Sequence, residues 1–391
     1  MKKTSTILAI ILLVIITGCG EGKKANIQSD GIITVDVTAT YPKKELVLQD
    51  FMDVEYVVLE TNREFVTQGS VLDISEEHIM VRNYNIDGDI FVYDRSGKAL
   101  RKINRKGQGS EEYNYLSWFI LDNHNHEMFV YESGKRKILV YDIHGNYKRT
   151  LALKENTSYR DILDYDKDNL ICNVNITSSD DKEKVNSFYI ISKQDGSIVK
   201  DIKMPYKEEK TSMLRYMNGD MSMVATFSYF PVIPYNGNFI ITSISSDTIL
   251  KYLPEHKMEP FIVRTPSIQS MSDPEVFLFP TILTDRYYFM ATARKEFNFE
   301  TQTGFPRKPL MFDRQEKAIY EFTVSNDDYA DRAEDLSIRT VNNEIAFYRP
   351  IQAFDLIEAN KQGKLKGKLK EIADKLDEDS NPVIMLVKHK K

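Results

Sequence analysis

Cysteine is nearly missing from this chain. Only Cys19 and Cys172 occur in 391 residues, so no network of disulfides holds the fold. A surplus of basic charge is missing too, since 52 Lys and Arg face 58 Asp and Glu. Nucleic acid is therefore not an expected partner. There is no long apolar segment. The only sustained run, Ile7 to Ile16, has ten residues, and a membrane-crossing helix needs about 20. Several local signatures of chemistry are also absent. There is no Gly-x-Ser-x-Gly elbow and no His-Glu-x-x-His helix. No Gly-Lys-Ser/Thr follows Gly107 and Gly109, which excludes a phosphate loop. The acidic pairs Asp180-Asp181 and Asp327-Asp328 lack calcium-loop grammar and read as solvated insertions. No metal and no cofactor is expected.

The residues that are present begin with Lys2 and Lys3, the apolar run, and then Thr17, Gly18 and Cys19. This is the layout of a signal peptide. Ile16-Thr17-Gly18-Cys19 matches the lipobox of bacterial lipoproteins, so cleavage before Cys19 and lipidation of its thiol are expected. Acyl chains contribute about 0.8 kcal/mol per buried methylene, and two or more give a stable anchor. Residues 1–18 are then the signal peptide. Residues 19–33 form a lipidated flexible tether of small and polar side chains, and residues 34–391 form the folded domain. With Lys2 and Lys3 gone, 50 basic side chains remain against 58 acidic ones. The domain is mildly acidic and held to the cell envelope, with the outer membrane as the expected site and the periplasm or the cell surface as the exposure.

Beyond the tether, 22 tyrosines and 20 phenylalanines favour strands. One unit recurs: residues 89–103 reappear as 137–151, with Tyr93 and Tyr141, Gly97 and Gly145, and Ile103 and Leu151 each 48 apart. A looser copy spans 188–202, around Gly196. Each reads as a strand, a tight turn whose glycine takes positive φ, and a returning strand. Upstream of these hairpins lie further apolar strands, centred on residues 79–81, 128–130, 170–172, 239–241, 288–290 and 345–347. Their spacings are 49, 42, 69, 49 and 57, near the repeat length of propeller blades.

Six recurrences predict an all-β fold, a six-bladed β-propeller, in which radial stacking hides both faces of each four-stranded sheet. A sandwich predicts no recurrence at about 50 residues. Val54 to Glu60 and Val383 to His389 are strand-like and lie outside the regular units, so they are expected to close the last blade together. A helical interruption near the carboxyl end is predicted over 353–360 and 364–377. There Leu365, Leu369, Ile372 and Leu376 fall 4, 3 and 4 apart, with Gly367 as a weak point. It is expected to pack across the last blade.

These features resemble the six-bladed β-propeller lipoproteins of Gram-negative gut bacteria, a group with NHL- or TolB-like blades. The resemblance rests on Val54 to Glu60, the Val-Tyr-Asp-x-x-Gly hairpins, the loop Lys106 to Tyr113, and Asn381-Pro-Val-Ile-Met-Leu386. Ser110-Glu111 departs from the Pro-Gly usual in that loop. The resemblance implies the fold and says little about activity.

The same loop is the candidate binding segment, with Arg105, Lys106, Gln108, Glu111, Glu112 and Tyr113 expected to cross one face near the axis. The competing reading is that its glycines and a buried tyrosine shape an inter-blade crossing, with Arg105 and Glu112 paired. His124 and His126 have alternate-residue spacing but sit in a polar turn without a third ligand, so a solvated loop is expected. No catalytic residue is singled out. The expected role is binding of a protein, peptide or glycan partner. The rival is a propeller hydrolase or lyase using charged residues at the channel mouth, which two converging carboxylates at the axis would favour.

Overall fold

The computed structural model describes residues 23–24, 26–27 and 31–390, apart from residues 85, 133, 156, 177–186, 205 and 220. Cys19, the expected signal peptide and Asp180-Asp181 lie outside the described residues. Six antiparallel sheets follow one another around an axis, and each apolar triplet read from the sequence forms the second strand of a blade.

Blade 1 runs Ser70–Ile74, His78–Arg82, Asp89–Asp94 and Ala99–Asn104. Blade 2 runs Trp118–Asp122, Glu127–Glu132, Lys137–Asp142 and Tyr147–Ala152. Blade 3 runs Thr157–Asp164, Asn169–Ile176, Ser187–Ser192 and Ile198–Lys203. Blade 4 runs Val232–Tyr235, Asn238–Ile241, Thr248–Tyr252 and Met258–Thr265. Blade 5 runs Val276–Leu283, Tyr287–Arg294, Arg307–Asp313 and Ala318–Asn326. The middle strands are apolar on both sides because both faces of a blade are covered. Alternate side chains of Glu127–Glu132 thus enter two different cores, Phe129 and Tyr131 toward blade 3 and Met128 and Val130 toward blade 1.

The recurring glycine has a second reason to be glycine. Gly97 and Gly145 adopt φ +88° and +86°, and each sits against the preceding blade with no room for a Cβ. A Cβ on Gly97 would lie 2.1 Å from the Val58 carbonyl, and one on Gly145 would lie 2.5 Å from Ile103. The turn is therefore a docking point between blades as well as a reversal. The aspartate of the motif shapes it, since one Asp94 oxygen accepts from the Ser96 and Lys98 amides at 2.9 and 3.0 Å.

The sixth blade closes as the sequence predicts. Ile345–Ile351 pairs with Val383–His389, which pairs antiparallel with Met52–Val58 in the register Val383 to Val58 and His389 to Met52. Its inner position is taken by irregular chain ending at Val341, whose amide donates to the Ile345 carbonyl. The buried Asn381 locks the seam. Its side chain accepts from the Thr67 amide and donates to the Glu60 and Phe65 carbonyls, each at 2.8 Å.

Three features depart from the sequence reading. The amino-terminal segment forms a strap. Ile33–Asp36 adds in parallel to the outer strand of blade 4, and Lys43–Val47 adds in parallel to that of blade 5. Lys23–Lys24 and Asn26–Ile27 form two-residue ladders in the same region. Unpaired outer edges take up any extended backbone within reach. Second, an extra hairpin, Met213–Asn218 with Met221–Thr226, stands between blades 3 and 4. It accounts for the long 69-residue interval.

Third, of the two helical stretches read over 353–360 and 364–377, the first forms as Ala353–Lys361 and the second is shorter, Gly367–Ala373. Gly367 begins the second helix at φ +50° instead of interrupting it. Leu365, Leu369 and Ile372 are buried with Leu48, Met385 and Val387 over the sixth blade. Burial contributes about 2 kcal/mol for each such side chain, well above the cost of a helical glycine, about 1 kcal/mol. Asp328 is no solvated insertion. Its carboxylate accepts from Tyr56 Oη at 3.1 Å, and its carbonyl accepts from the Lys366 amide, which latches the helices to blade 5.

Candidate functional site: the axial cavity

The first strands of the blades surround the axis, and their side chains leave a cavity of about 650 Å³. Blades 1, 2, 3, 4 and 6 line it, and blade 5 is screened off. The Gly237 amide of blade 4 donates to Asn343 Oδ1 of blade 6 at 3.4 Å, bridging over the intervening blade. A second hollow of about 540 Å³ lies beyond this bridge, beside Asp285, Arg286 and Tyr287 of blade 5.

Charge in the axial cavity is mostly matched. Arg339 reaches in from the irregular inner segment of blade 6. Its Nη1 lies 3.0 Å from Asp161 Oδ1, and its guanidinium covers the ring of Trp118 at 5.3 Å. Asp161 is 2% exposed; burial raises its pKa, and Arg339 restrains the rise. Lys193 is fully buried behind the wall and holds Asp122 at 2.7 Å and Asp164 at 2.6 Å. Burial also raises the pKa of Asp164, against the pull of Lys193.

Asp73, on the inner strand of blade 1, accepts from the Leu121 amide of blade 2 and from its neighbour Ile74, both at 2.8 Å. Withdrawal from water outweighs these bonds and the nearby Arg339, and with Asp164 adding negative charge its pKa is pushed up to about 6. Carboxylates from two blades thus face one cavity, Asp73 and Asp164. They are not two equivalent acids, since one is held by backbone amides and the other by a lysine.

Arg82 is different. It lines the cavity half-buried, and its Nη1 donates to the Leu116 carbonyl. Among the described residues it has no acidic partner, and burial lowers its pKa. Tyr348 stands near both arginines and donates to the Val71 carbonyl at 3.0 Å. Tyr165 stacks on Phe239 at 5.3 Å, and its buried hydroxyl has no hydrogen-bond partner among the described residues. Trp118, the one tryptophan of the chain, begins the inner strand of blade 2.

The loop singled out in the sequence lies elsewhere. Residues 105–116 do not line the axial cavity. Arg105 Nε donates to the Gly145 carbonyl at 2.6 Å, not to Glu112. Glu112 accepts from the Gly109 amide at 2.8 Å and fills the space a Cβ on Gly107 would need. Tyr113 is buried, donates to the Gly88 carbonyl at 2.7 Å, and accepts from the Arg105 amide. Lys106, Gln108 and Glu111 are exposed. The loop lies at the crossing between blades 1 and 2 with Tyr113 buried, and the Arg105–Glu112 pair of the second sequence reading does not form. His124 reaches the rim of the cavity, whereas His126 occupies a positive-φ turn position.

Sequence reasoning missed Asp73, Arg82, Asp164, Arg339 and Tyr348 as a group because they are spread over blades 1, 3 and 6. The available signal was positional: polar or aromatic residues in or beside the first strand of successive repeats.

Fold and cavity together define a six-bladed β-propeller with a polar, aromatic-lined axial site. The chain belongs to the family described as Domain of unknown function (DUF4934), whose model matches residues 32–388. Comparison with curated proteins gives no match. Among solved structures it is similar to a Bacteroides fragilis protein described as exported. That likeness has 15% identity and a TM-score of 0.59, over 89% of this chain and 99% of that one. It is also similar to a DUF4221-family member from Bacteroides vulgatus, at 11% identity and a TM-score of 0.49 over 88% and 99%. These identities speak to the fold alone. Among the described residues no helix is long and apolar enough to cross a membrane.

Proposed function

We propose that the protein is an envelope lipoprotein, anchored through Cys19, whose propeller binds a small polar ligand in the axial cavity, the end of a glycan or of a peptide. The observation that carries this reading is the cavity itself. It is of ligand size, and its wall combines Arg82, Arg339, Trp118, Tyr165 and Tyr348 with pairings that hold most of its charges in place. Such a wall recognises polar groups by fixed donors and flat faces without having to rearrange.

Trp118 makes the reading testable, since the whole indole emission of the protein comes from this wall. Titrating the full chain in detergent with soluble envelope oligosaccharides and short peptides is expected to give a saturable change in emission. Trp118→Phe removes the signal while calorimetric heat persists. Saturable binding with no effect on Trp118 emission, and unchanged by Arg339→Ala, would place the ligand elsewhere. For the anchor, Cys19→Ser is expected to move the protein from the membrane to the soluble fraction.

A second reading is favoured by one observation, the nearly neutral pKa of Asp73 beside Asp164. An acid of this kind facing another carboxylate suits a hydrolase or lyase. Turnover of a bound glycan that disappears in Asp73→Asn, with binding retained, supports catalysis. Binding without turnover leaves recognition.

A further inference from the structure

We infer that Arg82 is the anchor for a carboxylate on the ligand, an inference that rests on the axial cavity being the binding site. Every other charged side chain described for this wall has a partner: Arg339 has Asp161, Lys193 has Asp122 and Asp164, and Asp73 has two backbone amides. Among the described residues Arg82 has one carbonyl for one of its five N–H groups, and no acid. A half-buried guanidinium in that condition is costly to keep. Its remaining N–H groups form a planar fork that matches the two oxygens of a carboxylate.

A bound carboxylate would complete the charge balance of the wall with a bidentate pair, and the stacked Tyr165 and Phe239 leave flat apolar surface for the rest of the ligand. The shared chemistry is thus a small organic carboxylate with a polar body. An acidic sugar and the free carboxyl end of a peptide both supply it.

The test uses the full-length protein in detergent, Trp118 emission and calorimetry. Two matched pairs of probes separate the sources: a glucuronate-terminated disaccharide with its methyl ester, and N-acetyl-dialanine with its carboxyl amide. In one pair the free acid is expected to bind about tenfold or more tighter than its neutral partner, the size of a charge-assisted pair. Arg82→Gln abolishes that preference. Arg82→Lys keeps part of it, since charge remains but the fork is lost.

In the absence of ligand, Arg82→Gln is expected to leave the unfolding midpoint unchanged or higher, the mark of a residue kept for binding. Equal affinity for acid and neutral partner, with Trp118 still responding, overturns the carboxylate anchor and leaves the cavity reading intact. A marked fall in the ligand-free midpoint makes Arg82 structural and also overturns it. If neither these probes nor the envelope oligosaccharides and short peptides reach Trp118, the cavity reading itself fails.

Discussion

The guanidinium carbon of Arg339 lies 5.3 Å from the centre of the Trp118 ring while its Nη1 holds Asp161 at 3.0 Å. One side chain from blade 6 therefore ties the inner edges of blades 2 and 3. Removing it leaves a buried carboxylate without its cation. Arg339→Ala is expected to cost about 3 kcal/mol at neutral pH by denaturant titration. Burial already raises the pKa of Asp161, and the variant raises it further, so protonation on acidification recovers part of the loss. Adding Asp161→Asn to the variant recovers most of it. An equal loss at pH 5 and pH 7 would contradict this account.

Asp73 carries a pKa of about 6 in the folded protein, above the value near 4 expected of an unfolded chain. The folded state therefore binds its proton more tightly than the unfolded state does. The stability this provides is complete below about pH 4 and is lost as pH rises through about 6. Carboxyl carbon NMR of labelled aspartate is expected to show one resonance titrating near 6, absent from Asp73→Asn. A resonance titrating near 4 in its place would mean that water reaches the group freely.

Gly97 joins blade 1 to the closing strand of blade 6, and its Cβ position is occupied by the Val58 carbonyl. Gly97→Ala adds a clash to an unfavourable backbone angle and is expected to destabilise by about 2–3 kcal/mol. Gly134→Ala, where an added Cβ would meet no described atom beyond its chain neighbours within 4 Å, serves as the control and is expected to stay within about 0.5 kcal/mol. Chemical denaturation of the two variants side by side decides it.

Arg105 and Glu112 spend their polar groups on the Gly145 carbonyl and the Gly109 amide. The Arg105→Ala, Glu112→Ala double variant is expected to lose about 1–2 kcal/mol of stability while ligand titrations at Trp118 stay unchanged. A lost titration in a variant that still folds would return the loop to the binding site.

The blades were legible because their middle strands must be apolar on both faces. Triplets such as Leu170-Ile171-Cys172 and Phe239-Ile240-Ile241 stand out against any background, and Gly97 and Gly145 mark where one blade meets the next. Val383 to His389 was legible for the same reason. The strap was not. Lys43–Val47 is a short strand with exposed lysine and glutamate, and its parallel partner lies almost 280 residues away. Nothing local encodes that pairing. The Met213–Thr226 hairpin left only a trace, an overlong interval, because its faces are largely exposed and so carry no clean apolar alternation. The cavity was hidden for a third reason. Asp73, Trp118, Asp164 and Arg339 meet only through the circular arrangement, and no motif spans them.

The strap also sets an order of events. Ile33–Asp36, Lys43–Val47 and Met52–Val58 leave the ribosome early, yet their partners are Met258–Thr265, Ala318–Asn326 and Val383–His389. The first strands made must wait for the last. Until Val383–His389 arrives, Met52–Val58 and Ile345–Ile351 have bare edges, the kind that capture other chains. A product cut short by even its last ten residues thus leaves Met52–Val58 without a neighbour and the ring unclosed, and it becomes a target for aggregation or proteolysis.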